Sequence, residues 1–372
     1  MIAPFGFATA GTIRFGRGVL AEAAPFAATC ARVLLVRSAS VTAADGLARD
    51  LRQTGAALDL IVTGEPDLPA INAHLATTRP FAPDLVIAIG GGAVIDYGKA
   101  LAALIPAPHG ALRYLEVVGE GQPLDAAPLP LIAIPTTAGT GTEVTRNAVI
   151  GVPAAGRKVS LRDPRLYPTL ALVDPDLCLS CPKAVTLASG LDAITQVIEP
   201  FISARANPVT DAVCRDAIPR GLAALHRIMD HGDASAWDDM ALTSVCGGLA
   251  LANAGLGAVH GFAGVIGGRT GAAHGAICGT LLVPVLQANL AATQGDAAAR
   301  ITWVIDRITD EFGSLSDFDH WTRDHGLPRL AALGLPPETH AAVAREAKDA
   351  SSYKANPVDL DMAALLGILA RG

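Results

Sequence analysis

Asp192 and Gln196 stand four residues apart in Gly190-Leu191-Asp192-Ala193-Ile194-Thr195-Gln196-Val197-Ile198-Glu199-Pro200. On a helix that spacing projects both side chains from one face, where two oxygen donors converge on one point. Downstream are His260, in Gly257-Ala258-Val259-His260-Gly261, and His274, in Ala272-Ala273-His274-Gly275; each lies beside small residues that let a ligand approach the backbone. Oxygen and nitrogen donors with one position left open form a Lewis-acid site, at which a divalent cation polarises a carbonyl or lowers the pKa of an alcohol. Asp192, Gln196, His260 and His274 are therefore candidate metal ligands, and His260 and His274 the candidate catalytic groups. Glu199, seven residues after Asp192 on nearly the same face, reads as a partner that orients a ligand. Arg269 carries a guanidinium able to clamp a substrate carboxylate, but reads first as a solvated loop arginine.

Two glycine-containing loops suggest what the second reactant is. Ile89-Gly90-Gly91-Gly92-Ala93 leaves an apolar run and opens a helical pattern, so backbone N–H groups and a helix N-terminus can approach a pyrophosphate. Ile134-Pro135-Thr136-Thr137-Ala138-Gly139-Thr140-Gly141-Thr142-Glu143-Val144-Thr145 offers five threonine hydroxyls, more short donors than a structural turn needs. Loops of this kind at two strand ends fit a dinucleotide laid across an open α/β sheet.

The elements that must position these groups change character along the chain. Arg32–Val36, Leu58–Val62, Asp84–Ile89 and Pro130–Pro135 read as short buried strands, with a helix from Ala43 to Thr54 between the first two, as in βαβ units with a mostly parallel sheet. Beyond about Pro182, Ala- and Leu-rich segments of helical period take over: Lys183–Ser203, Pro208–Asp230, Ala234–Ala254, Gly275–Ala292, Gln294–Phe312, Ser316–His325, Pro337–Ala347 and Asp359–Ala370. The expected class is α/β plus all-α, a Rossmann-like parallel-sheet domain over 1–178 followed by a helical-bundle domain over 179–372, joined by a tight hinge near Val173–Pro182.

The motifs Phe15-Gly16-Arg17-Gly18, Gly64-Glu65-Pro66, Gly90-Gly91-Gly92 with Asp96 and Lys99, Pro135–Thr145, Asp174-Pro175, Gly190–Glu199 and Asn356-Pro357 resemble, in order and over nearly the whole chain, those of the iron-containing (group III) alcohol dehydrogenase family. The resemblance implies NAD(P) in a cleft between the two domains, a divalent metal on the helical side, and a homodimer. It places Gly91 and Gly92 at the pyrophosphate, Asp96 and Lys158 toward the cofactor, and Thr136, Thr137, Thr140 and Thr142 on phosphate, ribose or nicotinamide. Many relatives carry an NAD-selecting Asp after the first strand; here that position is Ser38, and Arg37 before it could pair a 2′-phosphate, which leans the reading toward NADP tolerance.

Iron-binding relatives present one Asp and three His, the first His four residues after the Asp, and often a further His four residues after the one matching His260. Here these positions are Gln196 and Gly264. A neutral amide oxygen is a weaker donor than imidazole, so metal affinity should fall and iron preference blur. Glycerol dehydrogenase-like relatives hold zinc with an Asp and two His, which keeps a metal-assisted dehydrogenase of a small alcohol and its aldehyde or ketone as the leading reading. A metal-independent reductase of an unsaturated keto acid, similar to maleylacetate reductase, is the alternative. A dehydroquinate synthase-like lyase would need a cationic pocket that Lys183–Thr280 scarcely supplies.

Composition narrows the partners to small molecules. A net charge of −7 without a basic block excludes nucleic acid as the main partner. No run of roughly eighteen apolar residues is free of Gly, Pro or charge, and the start lacks a basic, then apolar, leader, so neither a membrane span nor a signal peptide is expected. Six scattered cysteines read as reduced thiols of a cytoplasmic protein, the Cys178-x-x-Cys181 pair included, since no second pair or histidine follows it at metal-site spacing.

Overall fold

A computed structural model describes residues 2–372, which form two units: Thr9–Thr137 with Thr142–Ser180, and Cys181–Gly372 with Ala138–Gly141 and the residues up to Ala8. The first is an α/β unit made of β1 (Thr12–Phe15), α1 (Ala23–Ala27), β2 (Arg32–Ser38), α2 (Ala43–Thr54), β3 (Ala56–Val62), α3 (Leu68–Phe81), β4 (Leu85–Gly90), α4 (Gly92–Leu104), β5 (Leu131–Pro135), β6 (Asn147–Val152), β7 (Arg157–Arg162) and β8 (Leu170–Val173). Six strands form one parallel sheet in the order β1-β8-β5-β4-β2-β3, while β6 and β7 pair as a separate antiparallel hairpin. The four strands expected from apolar runs are β2 to β5; β1, β8 and the hairpin were not expected from sequence, although β8 is a short apolar run.

Strands buried on both faces explain why β2, β4 and β5 read as continuous apolar runs rather than alternating ones. Val33, Leu35, Ile87 and Ile134 face the layer of α1 and α2, and Leu34, Val36, Val86 and Ala133 face that of α3 and α4. Each fully buried Leu or Ile contributes about 1.5–3 kcal/mol, so this sandwich fixes where the strand ends lie. Helix α4 lies close on the sheet because Gly98 carries no Cβ; one there would sit 2.5 Å from the Ala88 Cβ.

The second unit is helical: α5 (Lys183–Ile202), α6 (Pro208–His231), α7 (Ala236–Ala254), α8 (Ala258–Thr270), α9 (His274–Ala292), α10 (Gly295–Phe312), α11 (Leu315–Asp324), α12 (His340–Asp349) and α13 (Met362–Arg371). From Gly190 to Ile202 every residue of α5 is buried, so the stretch bearing Asp192 and Gln196 is the centre of the unit. Helix α9 is apolar and long enough to cross a membrane by length and composition, yet most of it is buried inside this unit. Helix α8 was not expected from sequence. It holds Gly261, Gly264, Gly267 and Gly268, each poor in helix propensity, and exists because Gly261 lets it press against Tyr353 and the Ala347 carbonyl.

Candidate active site

Three helices of the helical unit carry the candidate ligands. Asp192 lies mid-α5, His260 in the first turn of α8, and His274 opens α9. The chain turns by 101° from α7 into α8, through Gly255 with its positive φ of 75°, and this aims the start of α8 at α5. Helices α5 and α9 meet with almost no spacer: a Cβ on Gly275 would lie 2.1 Å from the Ala188 carbonyl oxygen and 3.1 Å from the Asp192 Cβ, and one on Gly279 would lie 2.5 Å from Leu191. Gly275→Ala is therefore expected to force α9 off α5, costing about 1–3 kcal/mol or more and opening the cluster. Urea unfolding of the variant measures it, and wild-type stability would show that the crossing is not this tight.

At that crossing one donor atom from each of Asp192, His260, His274 and Cys278 lies within 4.8 Å of the others. His260 Nε2 is 3.4 Å and His274 Nε2 3.9 Å from Asp192 Oδ1, and the two imidazole centroids are 5.4 Å apart. Asp192 and His260 are almost wholly buried, whereas the His274 side chain is 37% exposed and gives the cluster its open side. Asp192 Oδ1, His260 Nε2 and Gln196 Oε1 are buried without a hydrogen-bond partner among the described residues. Unpaired buried polar atoms are costly and rare, and several in one neighbourhood are the mark of a ligand that satisfies them. The Gln196 side chain lies against Gly247 of α7, where a Cβ would be 3.4 Å from its Oε1.

Glu199 holds His260 in place. Its Oε2 takes the His260 Nδ1 at 2.6 Å and the Gly257 N–H at 2.9 Å, and its Oε1 accepts the Val259 N–H at 2.7 Å. The carboxylate thus caps the start of α8, helped by Asn356 Oδ1, which accepts from the Ala258 N–H at 3.0 Å. Only glycine fits at 257, since a Cβ would lie 2.8 Å from Glu199 Oε1. With Nδ1 held by a carboxylate, Nε2 is the nitrogen left facing Asp192, the arrangement of a metal-ligating histidine.

The electrostatics favour positive charge. Burial opposes ionisation of Asp192, but the contact from His260 and the charge of His274 hold its carboxyl below the usual range. Burial likewise opposes charge on His260, yet Cys278, Asp192 and Glu199 outweigh it and raise that imidazole well above its ordinary value. Burial also works against charge on His274, where Cys278 and then Asp192 reverse the effect.

Cys278 was missed in the sequence, where the thiols were searched for C-x-x-C pairs. It follows His274 by four residues, so on α9 both share a face, the same signal that marked Asp192 and Gln196. Arg269, in contrast, pairs with Glu346 at 2.5 Å in the solvent-exposed part of α8. The solvated reading is the one the geometry bears out.

In the α/β unit Ser38 ends β2 and Gly91 follows β4; these strands are neighbours at the point where the strand order reverses, the place where open α/β sheets bind ligands. Gly91 is the extended cap of α4, with no side chain on its first N–H groups, and a Cβ on it would be 3.5 Å from Thr137. Thr136 is tied back by its N–H to the Gly90 carbonyl at 2.9 Å. Thr140 is exposed in the four residues that pack with the helical unit. The Ser38 hydroxyl meets that of Ser40 at 2.8 Å.

Other expected cofactor groups have partners of their own. Thr142 donates to Asp96 at 2.7 Å and accepts from Lys99 at 3.0 Å, while the second Asp96 oxygen takes the Val149 N–H at 3.0 Å. These residues anchor the threonine loop to α4. Lys158, on β7, is paired with Glu65. The lean toward NADP through Arg37 is corrected: its guanidinium grips both oxygens of Asp59, at 2.7 and 3.0 Å, and Asp45 at 2.9 Å, and the residue is 8% exposed. Already neutralised twice, it has no charge to spare for a 2′-phosphate.

Beside this network Glu143 is buried with Oε1 unpaired, and burial pushes its pKa from 4.5 up to about 7. Burial also brings Lys99 down to about 8, against the pull of Asp96 and Glu143. Between pH 4.5 and 7 Glu143 is protonated in the folded protein and ionised in the unfolded chain, so stability falls as pH rises through that window, by about 3 kcal/mol at most. Glu143→Gln should flatten this decline in urea titrations from pH 5 to 7.5; an unchanged slope would show that another group causes it.

The chain's relatives agree along its length. The family model described as iron-containing alcohol dehydrogenase matches residues 10–175, and that of the C-terminal part of the Fe-containing alcohol dehydrogenase family matches residues 186–371. The probable alcohol dehydrogenase EutG of Escherichia coli (strain K12) is 32% identical over 329 residues, 87% of this chain and 82% of that protein. Among solved structures, a 1,3-propanediol oxidoreductase superposes with a TM-score of 0.88 at 26% identity over 99% of both chains. The sulfoacetaldehyde reductase from Bifidobacterium kashiwanohense in complex with NAD+ superposes with 0.85 at 26% identity, over 99% of this chain and 98% of that one.

Proposed function

The chain belongs to the iron-containing alcohol dehydrogenase family, and from that premise we propose that it is a metal-assisted, NAD(P)-dependent oxidoreductase that interconverts a small alcohol with its aldehyde or ketone. The observation that carries the metal is the cluster of Asp192, His260, His274 and Cys278, with unpaired donor atoms on Asp192 and His260. A divalent ion bound there would supply Lewis acidity toward an alcohol or carbonyl oxygen. Asp192 neutralises part of its charge, and Glu199 fixes the His260 ring so that Nε2 stays aimed inward. His274, on the open side, is the residue a substrate meets first, and its imidazole can exchange a proton with solvent.

The NAD+ in the sulfoacetaldehyde reductase complex supports a dinucleotide here as well. Its pyrophosphate would lie on the N–H groups of Gly91 and Gly92 at the start of α4, with Ser38, Thr136 and Thr137 supplying hydroxyls. Thr142 and Asp96 support the threonine loop through the contacts described above, while Lys158 is paired with Glu65 outside both loops. Gln196 is a spare oxygen donor one helical turn from Asp192. The setting proposed is the cytoplasm, in keeping with the free cysteines, and the assembly proposed, on the family resemblance alone, is a homodimer.

A metal-independent reductase of a keto acid would need a clamp for the substrate carboxylate such as Arg269, a role that its pairing with Glu346 does not favour. The test is consumption of NADH or NADPH by zinc-loaded and iron-loaded protein across short-chain aldehydes, ketones and hydroxyaldehydes. Turnover with at least one supports the proposal; none with either cofactor contradicts it.

A further inference from the structure

We propose that Cys278 is a metal ligand of this site, so that the donor set is Asp192, His260, His274 and a thiolate, and that this chain is consequently a zinc protein within a family named for iron. The inference rests on the metal-assisted reading and deepens it.

Cys278 is not an isolated thiol. It is fully buried on the inner face of α9, one turn after His274, and its sulfur is the fourth atom of the cluster whose members all lie within 4.8 Å of one another. A tetrahedral ion with bonds of about 2.0–2.3 Å sets its ligand atoms about 3.3–3.8 Å apart. The separation therefore needs only a small contraction around a cation. Independent of the sulfur, Asp192 Oδ1 and His260 Nε2, on residues 2% and 5% exposed, point into the same space without hydrogen-bond partners. Among the described residues no further His, Cys, Asp or Glu belongs to that group.

The sequence explains why a sulfur is needed. Where a third histidine would stand at residue 196, this chain has a glutamine, whose carbonyl is a weak donor and whose side chain lies beside Gly247. Cys278 restores a fourth strong donor from α9 in place of the one lost from α5. The exchange is not neutral, because a thiolate is a soft ligand that favours zinc, whereas imidazole serves zinc and iron alike. Binding releases the thiol proton to solvent and changes no oxidation state. With four protein donors the ion would act as a Lewis acid only by exceeding four-coordination, an expansion that catalytic zinc sites do undergo.

Cobalt(II) in place of the native ion tests this without any assay of turnover, since a thiolate ligand gives a near-ultraviolet charge-transfer absorption that oxygen and nitrogen ligands do not. The full-length protein stripped by chelation and titrated with cobalt should show that band. Cys278→Ser should still bind cobalt but lose the band, with affinity weaker by at least about 10–100-fold, the range given by loss of even an outer partner. Circular dichroism and thermal melting of Cys278→Ser and Cys278→Ala check that the fold persists. Metal content after growth with zinc and iron both supplied should show zinc in wild type. Cobalt that binds at one equivalent, is abolished by Asp192→Ala, and shows no thiolate band would overturn the role of Cys278 while leaving the metal site intact. No binding by wild type would overturn both the ligand assignment and the metal-assisted reading.

Discussion

Asp192→Asn should lower kcat/KM roughly 1000-fold while leaving the protein folded. Lewis-acid stabilisation is worth several kcal/mol, and each ~1.4 kcal/mol is a factor of ten in rate. Asparagine matches aspartate in volume, so the crossing of α5 and α9 at Gly275 keeps its packing. What is lost is the one carboxylate that faces both histidines and the thiol. Metal content and kcat/KM should fall together, with an unchanged melting curve as the control. A variant that lost metal but kept its rate would break the link between the cluster and the chemistry.

Glu199→Ala acts on the same site through the fold. It leaves the buried Gly257 and Val259 N–H groups and the His260 Nδ1 without their acceptor. Removing one partner of such a buried charged network costs about 3–5 kcal/mol, enough to unfold the start of α8 or the whole unit. Glu199→Gln separates the two roles: it retains an acceptor for α8 but offers an N–H where His260 needs a carboxylate. We expect Glu199→Gln to fold and to bind metal about 10–100-fold more weakly, read by urea unfolding and metal titration. Equal metal affinity in Glu199→Gln and wild type would show that Glu199 serves α8 alone.

Much of this arrangement was legible in the sequence because it is local. In the runs Arg32–Val36 and Asp84–Ile89 every position after the first is apolar since both faces of the sheet are covered, and they stand as β2 and β4. Strand β1 was not legible because it lies at the sheet edge with Thr12, Arg14 and Phe15 exposed, and β8 because it is only four residues long. Helix α8 hides behind its glycines, of which Gly261 shows its value only against Tyr353 and Ala347, far along the chain. The same distance misled the reading of Arg37, which seemed free until β3 placed Asp59 beside it. At the site, Asp192, His260 and His274 announced themselves by residue type, whereas Cys278 required the additional step of testing helical spacing from each histidine.

The central claim is that the Asp192–His260–His274–Cys278 cluster holds a divalent ion on which alcohol and aldehyde interconversion depends. The most direct measurement is NAD(P)H-linked turnover of one accepted aldehyde by the same preparation before chelation, after it, and after zinc is returned. The account predicts that activity disappears with the metal and returns as zinc approaches one ion per chain. Full turnover by protein shown by elemental analysis to be free of zinc and iron would contradict it.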